Sequence, residues 1–196
     1  MMGALIKRSY NAPTPDRREI ARYAGARLDD GLTASLIDEC LSEALPLISY
    51  NAVYTVCSLS ITDGICDIDG IRIESSALAK CLCGAKRAVI VAATVGLSLD
   101  RVIAKYSRTD RARALIMQAI GTERVEAVLD ELSNELRENY GAIRPRFSVG
   151  YGDAPLSAQR EITARLDTAR LIGVSLSESL IMSPSKSVTA IIGLEE

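Results

Sequence analysis

The 196-residue sequence contains no histidine, no tryptophan and a single phenylalanine. Without histidine the Ser-His and Cys-His nucleophile systems are excluded, and the commonest metal ligand is gone. Aromatic residues make up only 4% of the chain, so its core must be built from Leu, Ile, Val and Ala. Neither charge dominates. The net charge of −2 lacks the basic excess that non-specific nucleic-acid binding requires. No apolar run approaches the roughly 20 residues of a membrane span. The N-terminal MMGALIKRSYNAPTP places its apolar patch before its positive charges, the reverse of a signal peptide. A cytoplasmic protein with no membrane or nucleic-acid partner is therefore expected. Five cysteines, an odd number, fit free thiols in a reducing compartment better than a disulfide framework. Cys81 and Cys83 are the only close pair. Their spacing is too short for a usual zinc site, and Cys40, Cys57 and Cys66 supply no second pair, so all five read as buried, inert thiols rather than metal ligands.

What is present suits one globular domain that buries a real core, since 48% of residues are hydrophobic and 24% charged. Residues 1–32 read as an N-terminal arm and helix, and residues 33–196 as the main domain. Thr14 as N-cap, Pro15 at the first helical position and Asp16 in the first turn predict a helix to about residue 28. Asp29-Asp30-Gly31 breaks it. Thr33 caps a second helix whose apolar residues Leu36, Ile37, Cys40, Leu41, Ala44 and Leu45 recur at helical spacing, with Pro46 at its end. Val53, Thr55, Cys57, Leu59 and Ile61 alternate, and Asp63-Gly64 and Asp69-Gly70 are turn signals, so an antiparallel meander follows. Ser75 or Ser76 caps a short helix. The unbroken apolar run at 88–95 predicts a strand buried on both faces, and Ser98 caps the helix after it.

The longest helical stretch covers residues 109–140. Its apolar stripe changes direction around Gly121, which makes a kink or break there plausible. Glu126 extends the apolar face of the first half. It is either a half-buried carboxylate in need of a cationic partner or a boundary residue reaching water. After a further helix at 157–166, Val174, Leu176, Leu180 and Met182 alternate, as do Val188, Ala190, Ile192 and Leu194, with a hairpin turn at Ser183-Pro184-Ser185-Lys186. Glu178 falls on the apolar face of the first of these strands, as an edge-strand safeguard or as part of a polar site. Helices and hairpin-linked strands interleave without regular βαβ order, which predicts an α+β fold around an antiparallel sheet.

Between the long helix and this C-terminal pair lies Arg146-Phe-Ser-Val-Gly150-Tyr151. Arg146 offers a fork of donors suited to a carboxylate or phosphate. Gly150 and Gly152 allow close backbone approach, and Tyr151 adds a flat surface and a hydroxyl. Together they suit a zwitterionic or anionic small molecule.

The Arg146-x-x-x-Gly150-Tyr151 motif, the IGVSLSESLIMSPSKSV stretch and the upstream AVIVAATVG strand together resemble the C-terminal activation domain of cobalamin-dependent methionine synthase, from about residue 45 onward. Ser177-Glu178-Ser179 is similar to the family's TES strand, and Glu126, within VEAVLDEL, to its helical glutamate near the ligand. The resemblance implies the methionine synthase activation domain fold and S-adenosylmethionine as co-substrate. It implies reductive methylation of oxidised cobalamin, with the electron from a flavodoxin-like donor and no catalytic acid or base from the protein. Arg146 would grip the methionine carboxylate, Glu126 would face the ammonium, and Gly150, Tyr151 and Glu178 would complete the binding set. These residues contain no cobalamin module, so the implied partner is a cobalamin-binding methyltransferase subunit served in trans, methionine synthase or another corrinoid protein. The alternative is a docking or scaffold module that keeps the fold without the ligand.

Overall fold

Asp63-Gly64 and Asp69-Gly70 show how closely local chemistry sets the sheet. All four residues have positive φ, the backbone that two-residue hairpins with the right-handed strand twist demand. They join β2 (Asn51–Thr62) to β3 (Ile65–Ile68) and β3 to β4 (Ile71–Glu74) as the expected meander. In the computed structural model, which describes residues 3–195, the sheet continues from β2 to β5 (Arg87–Thr94) and then to β8 (Ser187–Leu194). β1 (Ile6–Ser9) lies antiparallel on the first part of β2, within the stretch read as an arm. Every pairing is antiparallel, and the fold is α+β as expected.

β5 is buried on both faces from Ala88 to its end, and its alternate residues feed two separate cores. Val89, Val91 and Ala93 face the larger one. It is roofed by α1 (Arg17–Tyr23), α2 (Gly31–Ala44), α4 (Leu97–Thr109) and α5 (Arg111–Tyr140). Ala88, Ile90 and Ala92 face the smaller one, closed by α3 (Ser76–Cys81), α6 (Gln159–Arg165) and the segment around α7 (Thr168–Ile172). A strand sealed on both sides has no need of polar alternation, which is why the 88–95 run is continuous.

Several boundaries depart from the sequence expectation. α1 begins at Arg17, because the Asp16 carboxylate, not Thr14, accepts from the amides of Arg18 and Glu19. It ends at Tyr23, short of residue 28. Asp30 rather than Thr33 caps α2, and the Thr33 hydroxyl donates to that cap at 2.8 Å. α4 starts after Gly96 at φ 86°, so Ser98 sits inside the helix. Ser75 caps α3 as expected.

α5 runs through Gly121 as one helix, so no break occurs there. A Cβ there would stand 2.6 Å from Lys186 Cγ and 2.8 Å from Leu99 Cδ2. The glycine makes room for the Lys186 stem, just before β8, and for Leu99 of α4. The C-terminal pair of strands also differs. β6 (Ser175–Leu176) and β7 (Met182–Ser183) pair only with each other as a two-residue ribbon, while β8 joins β5. Leu180 takes a positive φ of 65° inside the stretch read as a strand, which ends the alternation.

Candidate functional site

The segment after α5 runs along the free edge of β8. Ile143 bridges Leu194, and Phe147 bridges Ile191 through paired backbone bonds of 2.9 and 2.7 Å. In such an extended segment successive side chains alternate. Phe147 packs into the smaller core, so Arg146 and Ser148 turn to the opposite face, beneath α5. There they meet Glu126 and Leu129 of α5 and Val188 and Ala190 of β8 around a cavity of about 430 Å³, with Tyr151 at its mouth. Tyr151 is 72% exposed.

The Tyr151 loop is held at both ends. Gly150 N–H donates to Ala154 O at 3.0 Å and Ala154 N–H to Tyr151 O at 3.1 Å, with Gly150 at φ 91°. The Asp153 carboxylate then accepts from Ser75 Oγ, from Ser76 N at 2.8 Å and Oγ, and from Ala77 N at 3.2 Å. The Ser75 and Ser76 hydroxyls, aided by these amides, hold its pKa well below the usual carboxylate range. The loop is thus tied to the start of α3 across the sheet edge.

Arg146 is the centre of the site. Its Nη2 donates to Glu126 Oε2 at 3.1 Å and its Nη1 to Asp130 Oδ1 at 2.6 Å. Of the two readings of Glu126, the structure shows the half-buried carboxylate with a cationic partner. A second hollow of about 250 Å³ opens on the far side of this pair, between α1 and α5. It is lined by carboxylates of Asp16, Glu19, Glu123, Glu126 and Asp130, with Arg146 again at its edge. Arg146 and Glu126 therefore stand between an amphiphilic cavity and an acidic one.

No family model matches the sequence, and no curated protein matches it. Among solved structures, the chain is similar to the MetH reactivation domain bound to AdoHcy, with a TM-score of 0.75 and 15% sequence identity, over 98% of this chain and 78% of that one. The fold is that of the MetH reactivation domain. The resemblance carried by the Arg146–Tyr151 motif and the C-terminal strands thus corresponds to a likeness of architecture.

Within this MetH-like fold, Arg146, Glu126 and Tyr151 come together around one cavity, and Gly150 shapes the turn beside it. Glu178 does not join them. It is exposed on the turn of the β6–β7 ribbon, where its carbonyl accepts from Arg160, and it lines neither hollow. Asp130 was missed in the sequence. Its one signal there is its place four residues after Glu126, which puts both on one helical face.

The cysteines divide by burial. Cys40, Cys57 and Cys66 are in the core, as expected, and burial pushes the Cys40 thiol up to about 11 and that of Cys57 to about 12. Cys81 is only partly buried and Cys83 is exposed, because α3 ends at the surface. Among the described residues no group of three or more acidic or cysteine side chains is placed to hold a metal ion, and no helix is long and apolar enough to cross a membrane.

Proposed function

We propose that this chain binds S-adenosylmethionine in the cavity between α5 and β8. In this reading it is a reactivation unit for a cobalamin-dependent methyltransferase, with methionine synthase as the foremost candidate. The carrying observation is the Arg146–Glu126 pair at the wall of a 430 Å³ cavity beside Tyr151, in a fold whose solved counterpart holds AdoHcy. That volume lies within the ordinary range for small-molecule sites, about 300–1,000 Å³.

The donor set fits the ligand. The Arg146 guanidinium suits the carboxylate of an amino-acid head group, and Glu126 suits its ammonium. Leu129, Val188 and Ala190 give the uncharged body an apolar wall. Tyr151 offers a ring against which a flat base can lie, on a loop that Asp153 ties to the start of α3. When bound, S-adenosylmethionine supplies an electrophilic methyl group whose leaving group is a neutral thioether, so the transfer requires no proton from this chain. Its residues bind and orient the donor, and the rate gain they provide is that of proximity. These residues contain no histidine to ligate a corrinoid, so the cobalamin is presented by a partner, with a flavodoxin-like protein as electron source.

Calorimetric titration of the chain with S-adenosylmethionine and AdoHcy tests the reading. Saturable binding of both is expected, and absence of binding at millimolar ligand overturns it. Restored turnover of an oxidised corrinoid methyltransferase, given reductant and S-adenosylmethionine, tests the partner. The docking-module reading draws on one observation, that Arg146 is already ion-paired within the protein. The cavity beside Tyr151 weighs against it.

A further inference from the structure

Asp130 belongs to no motif in the sequence, yet it makes the shorter ion pair on Arg146, 2.6 Å against 3.1 Å for Glu126. The two carboxylates lie one turn apart on the same face of α5, where like charges repel. The guanidinium between them is what makes the arrangement favourable. They are not equivalent. Glu126 lines both hollows, whereas Asp130 lines only the acidic one, and its side chain is 67% exposed against 38% for Glu126. Any anion that approaches Arg146 from the larger cavity meets an Nη1 already taken by a solvated carboxylate.

We propose that Asp130 is a specificity-determining residue of the site, an internal stand-in for the carboxylate of the ligand's amino-acid head. It holds Arg146 in place while no ligand is bound, and it gives up Nη1 to solvent water when a ligand carboxylate arrives. The inference rests on the S-adenosylmethionine reading above. Release is easy because Asp130 is well solvated, and exposed ion pairs are weak. Release is also directed. Besides Arg146 the acidic hollow has, among the described residues, no cation in its lining to capture a freed carboxylate, which leaves open water as its destination. Since one carboxylate replaces another, Arg146 keeps its charge balance. A ligand without a carboxylate gains nothing from this arginine.

The test is titration of wild type, Asp130→Asn and Asp130→Ala with AdoHcy and with 5′-methylthioadenosine, which lacks the amino-acid head, at low and at physiological salt. Removal of the competitor is expected to tighten AdoHcy binding by up to about fivefold. The gain should be largest at low salt and shrink as ions screen the Asp130–Arg146 pair. The affinity for 5′-methylthioadenosine should not change. Equal or weaker AdoHcy binding by both variants, or an equal gain for 5′-methylthioadenosine, overturns the role of Asp130 and leaves the S-adenosylmethionine reading standing. No binding of AdoHcy by any of the three proteins overturns both.

Discussion

Arg124 and Arg146 both grip carboxylates of α5, and they do so in opposite surroundings. Arg124 is fully buried. Its guanidinium holds Glu123 and donates to the carbonyls of Pro13 and Thr14, while Glu123 accepts from the amide of Asp16 at 3.0 Å. Burial alone would lower the pKa of Arg124, but the hydrogen bonds and charge of Glu123 outweigh it and raise it. The pair is a closed knot that fastens the N-terminal segment to α5. Arg146 instead sits at a cavity wall with partly exposed carboxylates, and its Nε has no protein partner among the described residues. The same two residue types thus build a rivet at one position and a receptor at another. The difference lies in what covers them: the chain segment entering α1 closes over Arg124, while only a cavity covers Arg146.

The largest effect that would break this comparison comes from Arg124→Ala. It strands the Glu123 charge in the interior, and a loss of about 3–5 kcal/mol is expected by denaturant unfolding. If the loss is below about 1 kcal/mol, the rivet reading fails. Arg146→Ala is the mirror case. Unfolding free energy should fall by about 1 kcal/mol or less, while calorimetry should show AdoHcy binding weaker by at least about tenfold, as expected for a lost charged hydrogen bond. A variant that binds as wild type does would remove Arg146 from the site.

Gly121→Val probes the seam where the helix that both arginines grip meets Leu99 of α4 and Lys186 just before β8. Its side chain would run into Lys186 and Leu99, and overpacking of this kind costs about 1–3 kcal/mol. An unchanged melting temperature would show that the Lys186 stem yields freely.

The subtlest effect, on the pH response alone, is expected at Glu135, a fourth arginine-bound carboxylate of α5. It accepts from Arg8 Nε at 2.8 Å, Tyr10 OH at 3.0 Å and Tyr54 OH at 3.1 Å. Burial pushes its carboxyl up, and these three donors outweigh that and hold it below the ordinary value. A depressed carboxylate stabilises the fold fully above the ordinary Glu pKa of about 4.3, and the contribution is lost as pH falls from there through the lowered value. Unfolding measured against pH should therefore show a shallower acid limb for Glu135→Gln than for wild type. Identical limbs would assign the acid response to other carboxylates.

Local chemistry made much of the fold legible. The Asp-Gly turns, the Ser75 cap and the two-faced β5 run follow from backbone and burial rules that act over a few residues. The misjudged features depend on distant residues. Gly121 reads as the place for a kink or break until Lys186 and Leu99 are seen to occupy the space beside it. The alternation at 174–182 reads as a strand, but a short pattern does not say whether a neighbour exists to pair with it, and here only a two-residue ribbon forms. Of the site, Arg146, Glu126 and Tyr151 were marked by residue type and by resemblance, whereas Asp130 was hidden among the polar residues that any exposed helix face carries.

The sequence by itself determined that these residues contain no histidine chemistry, which turns the hairpins take, and that a long helix precedes an arginine-bearing loop. Only the tertiary structure decided which arginine is locked away and which faces a cavity. A guanidinium is the same group at both positions. Its role is set by solvent access, and solvent access is decided by packing: α1 and its leading segment close over Arg124, and the edge of β8 holds Arg146 beside open space.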